Sequence, residues 1–204
     1  MKIIECKQRT PEWLEARIGI PTASQFHRVM TPKTKKRSSQ ADDYLNFLLA
    51  EWLVGRSLED FSNDWTERGM VLEDDAVSYF EALHEVNTQE VGFITTNDGL
   101  VGCSPDRIGT FGGLEIKCPG IINHVGYMRD PSLLKSQYWS QVQGSMWVTG
   151  LDVWHLMSYH GELPPVELTV ERDDKWHKAF TEVMAGFLKE LKDAKCKLEK
   201  YKEA

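Results

Sequence analysis

Three short apolar runs, VGFITT, GLVGCS and GLEIKCP, lie between residues 91 and 119, separated by the turn-forming stretches NDG and GTFGG. No other feature restricts the fold as tightly. Runs of this length, rich in Val and Ile and punctuated by Gly, read as adjacent strands joined by tight turns, a meander. Helical patterns flank them. Upstream, ADDYLNFLLAEWLVG spaces Tyr44, Leu45, Leu48, Leu49 and Trp52 by three and four and stops at Gly55. WTERGMVLEDDAVSYFEALHEV sets Val71, Leu72, Ala76, Tyr79, Phe80 and Leu83 along one stripe, with Glu73 at its margin. Downstream, PSLLKSQYWSQVQGSMWVTG repeats Leu134, Tyr138, Val142 and Met146 and ends at Gly150. The strands VWHLMSY and VELTVER follow, and a final helix from about Asp174 places Trp176, Phe180, Val183, Phe187, Leu191 and Leu198 on one side. Before all of these, Pro11 to Met30 predicts a short helix carrying Trp13, Leu14 and Arg17, then a second helix capped by Thr22 or Ser24. This order predicts a mixed α/β (α+β) fold with a central mixed sheet flanked by helices, in one domain spanning residues 1–204.

The 41% apolar content, with seven Trp and eight Phe, excludes a disordered chain. No apolar run approaches the roughly 20 residues that span a bilayer, so no membrane partner is expected. The start, MKIIECKQRT, lacks the apolar stretch of a signal peptide, and Cys6, Cys103, Cys118 and Cys196 form no CxxC pair; a reducing cytoplasm fits both facts. Cys103 and Cys118 fall in predicted strands and read as buried thiols, with a disulfide or zinc site as the alternative. The six histidines show no metal-ligand spacing, and His124, in a predicted loop after GLEIKCP, is the one nearest the acidic motif. Trp139, Trp147, Trp154 and Trp176 read as core or subunit contacts, with stacking on DNA bases as the alternative.

The formal net charge of -7 argues against a nucleic-acid grip spread over the whole surface, although a basic channel on an acidic body stays compatible with it. The stretch TPKTKKRSSQ packs Lys33, Lys35, Lys36 and Arg37 into five positions. It predicts a mobile basic loop, either a solvated connector or an arm that contacts DNA.

SPDRIGTFGGLEIKCPG, residues 104–120, concentrates the chemistry. Side chains two apart on a strand share a face, so Glu115 and Lys117 project together while Ile116 points to the buried side. Asp106 is expected to end the preceding strand, and the turn containing Gly109, Gly112 and Gly113 folds the chain back beside it. Two carboxylates around a water-accessible position suit a hard cation such as Mg²⁺. A lysine beside them can orient or deprotonate an attacking water, or offset charge on phosphorus oxygens. Taken alone, the same residues also fit an exposed hairpin with an ordinary Glu–Lys pair. Glu73 reads as common helix acidity or as an acid reaching inward, and Gln141 and Gln143, in an apolar helix, require partners.

SPDRIGTFGGLEIKCP resembles the PD-(D/E)xK nuclease signature in the form taken by the phage lambda exonuclease family, which includes viral alkaline exonucleases and phage-type recombinases. WLEARIGIPTAS, RGMVLEDDA and YWSQVQGSMWVTG are similar to three further motifs of that family, in the same order, from about Trp13 to Gly150. The resemblance implies a restriction-endonuclease-like core. It makes Asp106, Glu115 and the Ile116 carbonyl metal ligands, Lys117 the residue acting on the nucleophilic water, and Glu73 an acid near a second metal. Arg17, Ser24, Ser104 and Gln141 match a pocket for a terminal 5′-phosphate. Gln143, close by on the same helix, and Lys35, Lys36 and Arg37 of the basic loop are further candidates for DNA contact.

The implied activity is Mg²⁺-dependent 5′-to-3′ digestion of double-stranded DNA with two metal ions, Mn²⁺ being an alternative, releasing 5′-mononucleotides and leaving a 3′ overhang. A homotrimeric ring, a phage single-strand annealing partner and action in the cytoplasm of a bacterial host come with it. The competing readings are an endonuclease or nickase of the same superfamily and an inactive DNA-end-binding accessory protein.

Overall fold

The computed structural model describes residues 1–59 and 64–202, with the backbone alone at 64–68 and 70. Strand β1 (Lys2–Ile4) leads to α1 (Pro11–Arg17), a single 3-10 turn (Ala23–Gln25), α2 (Phe26–Val29), α3 (Ala41–Val54) and α4 (Asp64–His84). Four strands follow: β2 (Phe93–Thr95), β3 (Gly102–Cys103), β4 (Arg107–Gly109) and β5 (Gly112–Lys117). The chain closes with α5 (Ile121–Arg129), α6 (Pro131–Thr149), β6 (Val153–Ser158), β7 (Val166–Glu171) and α7 (Asp174–Leu198). Gly55 and Gly150 end α3 and α6 in the left-handed conformation, where the pattern predicted the stops.

The strands form two sheets, β1-β2-β3 and β4-β5-β6-β7. In the second, β5 and β6 run parallel while the outer pairs are antiparallel, which is the mixed sheet expected. Its two faces are covered by different helices. Leu114, Ile116 and Met157 pack with Ala76, Val77 and Phe80 of α4, whereas Trp154, Leu156 and Val170 pack with Leu134, Val142 and Met146 of α6. A larger core joins α2, α3 and α7 to Ile94 and Cys103.

Five expectations change. The meander is not continuous, because β3 pairs with β2 and β4 pairs with β5, and Ser104–Asp106 carries the chain from one sheet to the other. Pro105 has no N–H to extend a ladder, so Asp106 precedes β4 instead of ending the upstream strand. The residues after Lys117 form α5, whose apolar Ile121, Ile122, Val125 and Met128 face outward and so show no buried stripe. His124 thus sits on a helix, fully buried, between Ser158 Oγ at 2.8 Å and the Pro164 carbonyl at 3.0 Å, which makes it a structural residue. On α4 the buried line is Ala76, Val77 and Phe80, while Val71, Tyr79 and Leu83 are exposed. The helix is therefore rotated from the predicted stripe, and Glu73 and His84 extend its true inward line at helical spacing. Finally, Thr22 occupies the cap position of the 3-10 turn without a capping bond, its hydroxyl meeting Ser24 Oγ at 3.3 Å.

Trp154 and Trp176 are fully buried, and Trp139 and Trp147 pack against the cores, so these tryptophans serve packing. Cys103 is buried and Cys118 partly so; none of the four cysteines is in a disulfide. Among the described residues no helix is long and apolar enough to cross a membrane.

Gly144 brings α6 against the segment that carries Ser24. A Cβ there would lie 2.2 Å from Phe26 Cδ2, so any side chain forces the Phe26 ring or the two helices to shift. Gly144→Ala is expected to cost about 1–3 kcal/mol, the usual penalty for overpacking. A denaturant midpoint unchanged from wild type would contradict this close approach.

Candidate active site

Strand β5 presents Glu115 and Lys117 toward α6, and Lys117 Nζ lies 2.6 Å from Glu115 Oε1. Ile116 faces α4, as alternation predicts, but Glu115 is itself 2% exposed, so this hairpin is no surface feature. Asp106 Oδ2 accepts the Ile116 backbone N–H at 2.6 Å, which locks the aspartate to the strand bearing the other two groups. From α6, the Gln141 amide donates to Glu115 Oε1. From α4, Glu73 adds its charge to both buried carboxyls, and its own carboxylate is held by Arg9 Nη2 at 2.6 Å.

Burial, then the charges of Glu115 and Glu73, push the Asp106 carboxyl well above the ordinary aspartate range. Burial also raises Glu115, with Lys117 opposing it. For Lys117 the balance is reversed: burial pulls the ammonium down, but Glu115 and Asp106 outweigh it and hold the lysine above its ordinary value. Carboxylates crowded in a buried place around one lysine form a site with an excess of negative charge. Glu115 Oε2 is buried with no hydrogen-bond partner among the described residues. An orphaned carboxylate oxygen beside a second carboxyl is the donor set a hard divalent cation requires, so the residues present fit one.

A cavity of ≈ 280 Å³ opens beside these groups, and Arg17, Ser24, Ser104 and Gln141 line it together with Asp106 and Glu115. Arg17, the last residue of α1, lies over the Trp13 ring at 3.8 Å, and Trp13 Nε1 donates to Ser104 Oγ at 2.8 Å. The serine keeps its own O–H to donate. Arg17 Nη2 meets Glu59 Oε2 at 2.8 Å, while Arg17 Nε is buried without a partner among the described residues. Burial raises the Glu59 carboxyl even though Arg17 opposes it.

Other predicted contacts lie elsewhere. Gln143 is fully buried and its amide is used internally, donating to the Glu171 carbonyl at 2.8 Å and accepting from Asp173 N at 2.9 Å, so it cannot reach DNA. The basic stretch folds into a closed turn instead of an open arm, with Lys35 N bonded to the Thr31 carbonyl and Met30 bridged to Arg37. Arg37 is engaged by Asp42 at 2.8 Å and Glu190 at 2.6 Å, and Lys35 lies 3.7 Å from Asp173; Lys36 stays exposed. Arg9, Gln8 and Glu59 line the cavity without having been singled out from sequence. Gln8 donates to the Val91 and Pro105 carbonyls, fixing the backbone just before Asp106. Nothing in the local pattern marks them, since their partners are 42 to 97 residues away.

A mixed sheet carrying Glu115 and Lys117, with Asp106 bonded to the same strand, over a cleft and with a helix acid alongside, defines the class: a PD-(D/E)xK nuclease core of the lambda-exonuclease type. Solved structures share it. The chain superposes on the alkaline exonuclease LHK-Exo of Laribacter hongkongensis with a TM-score of 0.75 and 28% identity over 94% of this chain and 99% of that one. LHK-Exo in complex with dAMP gives 0.76 and 30% over the same shares. A phage related exonuclease from Haemophilus somnus 129PT has the same fold, with a TM-score of 0.70 at 14% identity over 88% of this chain and 96% of that one. The chain belongs to the family of the YqaJ-like viral recombinase domain, whose model matches residues 12–152. It is also 34% identical to the ExoD protein of Escherichia coli (strain K12) over 64 residues, 30% of this chain and 74% of that protein.

Proposed function

We propose that this protein is a divalent-metal-dependent exodeoxyribonuclease that digests double-stranded DNA from phosphorylated 5′ ends, releasing 5′-mononucleotides and leaving a 3′ overhang. The observation that carries this reading is one cleft lined by Arg17, Ser24 and Ser104 together with Asp106 and Glu115. A guanidinium with two hydroxyl donors is a receptor for a phosphate dianion. The family membership and the likeness to an alkaline exonuclease support the nuclease class, and LHK-Exo in complex with dAMP supports a deoxynucleoside monophosphate as the product class.

Asp106, Glu115 and the Ile116 carbonyl would hold Mg²⁺ or Mn²⁺, with Glu73 near a second ion. When bound, the cation supplies Lewis-acid charge at the scissile phosphate and makes a water more acidic. The chain's own residues do the rest. Arg17, Ser24 and Ser104 anchor the terminal phosphate, so only the next phosphodiester reaches the carboxylates. Lys117, whose ammonium Glu115 and Asp106 favour, acts on the attacking water, orienting or deprotonating it, and offsets charge on the phosphoryl oxygens. Gln141 steadies Glu115 from the cleft side. Attack breaks the P–O3′ bond, and the shortened strand again ends in a 5′-phosphate. Directionality follows from that geometry.

Residues 1–204 serve as one nuclease domain in this reading, because β1 pairs with β2 across the length of the N-terminal half and α7 packs on α3. The exposed apolar side chains Ile121, Ile122, Val125, Met128 and Leu133 support a homotrimeric ring, which would keep an acidic chain on DNA without broad phosphate affinity. A phage-type single-strand annealing protein in the bacterial cytoplasm would take up the 3′ overhang.

The deciding experiment incubates linear duplex carrying one 5′-phosphate with Mg²⁺ and sizes the products over time. Mononucleotides released from the phosphorylated strand alone are expected. Cutting of covalently closed circles would replace this reading with an endonuclease.

Metal binding should also be pH-linked. Because Asp106 is raised, the metal-free folded protein retains a proton that the unfolded chain has lost, from the ordinary aspartate range up to the raised value. Metal-free stability therefore falls as pH rises through that window. Mg²⁺ displaces the proton, so the rise in melting temperature on adding Mg²⁺ should grow as pH rises from the ordinary aspartate range through the raised one. A Mg²⁺ effect independent of pH would contradict the assignment.

A further inference from the structure

On the opposite face of the same sheet, His84, His155 and Glu167 converge from α4, β6 and β7. His84 Nε2 lies 2.9 and 3.0 Å from the two oxygens of Glu167, and His155 Nδ1 lies 2.8 Å from Glu167 Oε1. All three ligand atoms fall within 4.8 Å of one another. The register separates this cluster from the cleft: His155 pairs with Leu114 and so faces α4, whereas Glu115, one residue on, faces α6. Along α4, His84 is eleven residues beyond Glu73, about 16 Å at 1.5 Å per residue.

Two imidazole nitrogens and one carboxylate oxygen form a borderline donor set, which suits zinc-class transition ions and not Mg²⁺, the ion expected on the oxygen ligands across the sheet. Tetrahedral coordination at about 2.0–2.1 Å sets ligand atoms about 3.3 Å apart, a few tenths of an ångström wider than the N···O distances here. Small side-chain rotations supply that difference. Phe80 packs on both rings, at 4.4 Å from His84 and 5.1 Å from His155, and Phe111 lies 5.8 Å from His155, giving the apolar surround that favours strong ligation. His84 is 32% exposed and leaves an opening for a water as fourth ligand.

We propose that His84, His155 and Glu167 bind one zinc-class divalent ion, which staples the C-terminal end of α4 to β6 and β7 and so holds the helix that carries Glu73. The site is structural, since it lies on the sheet face opposite the cleft.

The test uses the full chain with Asp106→Asn and Glu115→Gln, which remove the oxygen ligands, after chelator treatment. Calorimetric titration with Zn²⁺ is expected to show one equivalent bound with a rise in melting temperature, undisturbed by excess Mg²⁺. Co²⁺ in its place should give the visible bands of a tetrahedral ion. Glu167→Gln, or His84→Gln at the most exposed ligand if the first variant folds poorly, should weaken binding by more than the roughly 10–100-fold that an outer-shell loss costs. Absence of Zn²⁺ binding, which would leave only a His–Glu–His hydrogen-bond cluster, or undiminished binding in His84→Gln, overturns the proposal.

Discussion

Lys117→Ala is expected to lower single-turnover release of mononucleotides by at least ~10³-fold at saturating Mg²⁺, while the protein still binds a phosphorylated duplex end. The ammonium is 2.6 Å from Glu115 Oε1 and 4.8 Å from the Tyr138 ring centroid, and the two buried carboxyls hold it charged. It is the positive side chain that β5 itself presents to the place where phosphoryl charge develops. No other group on that strand can replace it. End binding rests on different residues, Arg17, Ser24 and Ser104, which reach the cleft from α1, the 3-10 turn and the crossover between sheets. Anisotropy with labelled duplex in Ca²⁺ measures binding, and release of a labelled terminal nucleotide measures chemistry. A Lys117→Ala enzyme within tenfold of wild type would remove the lysine from the mechanism.

Arg17→Ala should erase the preference for phosphorylated ends, a loss of about 10–100-fold on such ends with hydroxyl ends unaffected, from the ~1.5–3 kcal/mol of hydrogen bonds to a charged partner. The present state of Arg17 sharpens this. Its fork is engaged by Glu59, a carboxylate standing where the proposal puts the phosphate, so an incoming end has to displace that acid. Glu59→Gln should therefore tighten binding of phosphorylated ends several-fold. Arg17→Ala alone leaves the partly buried Glu59 without its cation, and the Arg17→Ala/Glu59→Gln double variant separates lost recognition from lost stability. Equal rates of the wild type on phosphorylated and hydroxyl ends would dispose of the pocket.

Much of the architecture was legible because it is periodic. The three- and four-residue spacing in α3, α6 and α7 reports a buried face directly, and the glycine-rich turn before Glu115 makes a hairpin with the strand that follows Asp106. The reading failed where the rule is not local. On α4, apolar residues occur on more than one side, so the pattern could not say that Ala76, Val77 and Phe80 face the sheet. The outward apolar face of α5 left it without a buried stripe to detect. The buried Gln143 differs from Gln141 by two positions, and only the packing of α6 shows that one amide meets Glu171 and the other Glu115.

By itself the amino-acid order determined what backbone sterics and strand alternation dictate: Glu115 beside Lys117 on one face of a strand, Ile116 on the other, and Asp106 across a tight turn. The tertiary structure decided which distant groups join them. Arg9 reaches Glu73 across 64 positions, Arg17 reaches Glu59 across 42, and His84 meets Glu167 across 83. Those meetings depend on how helices and sheets bury their apolar faces against one another, a choice made by the packing of the whole core and carried by no local repeat.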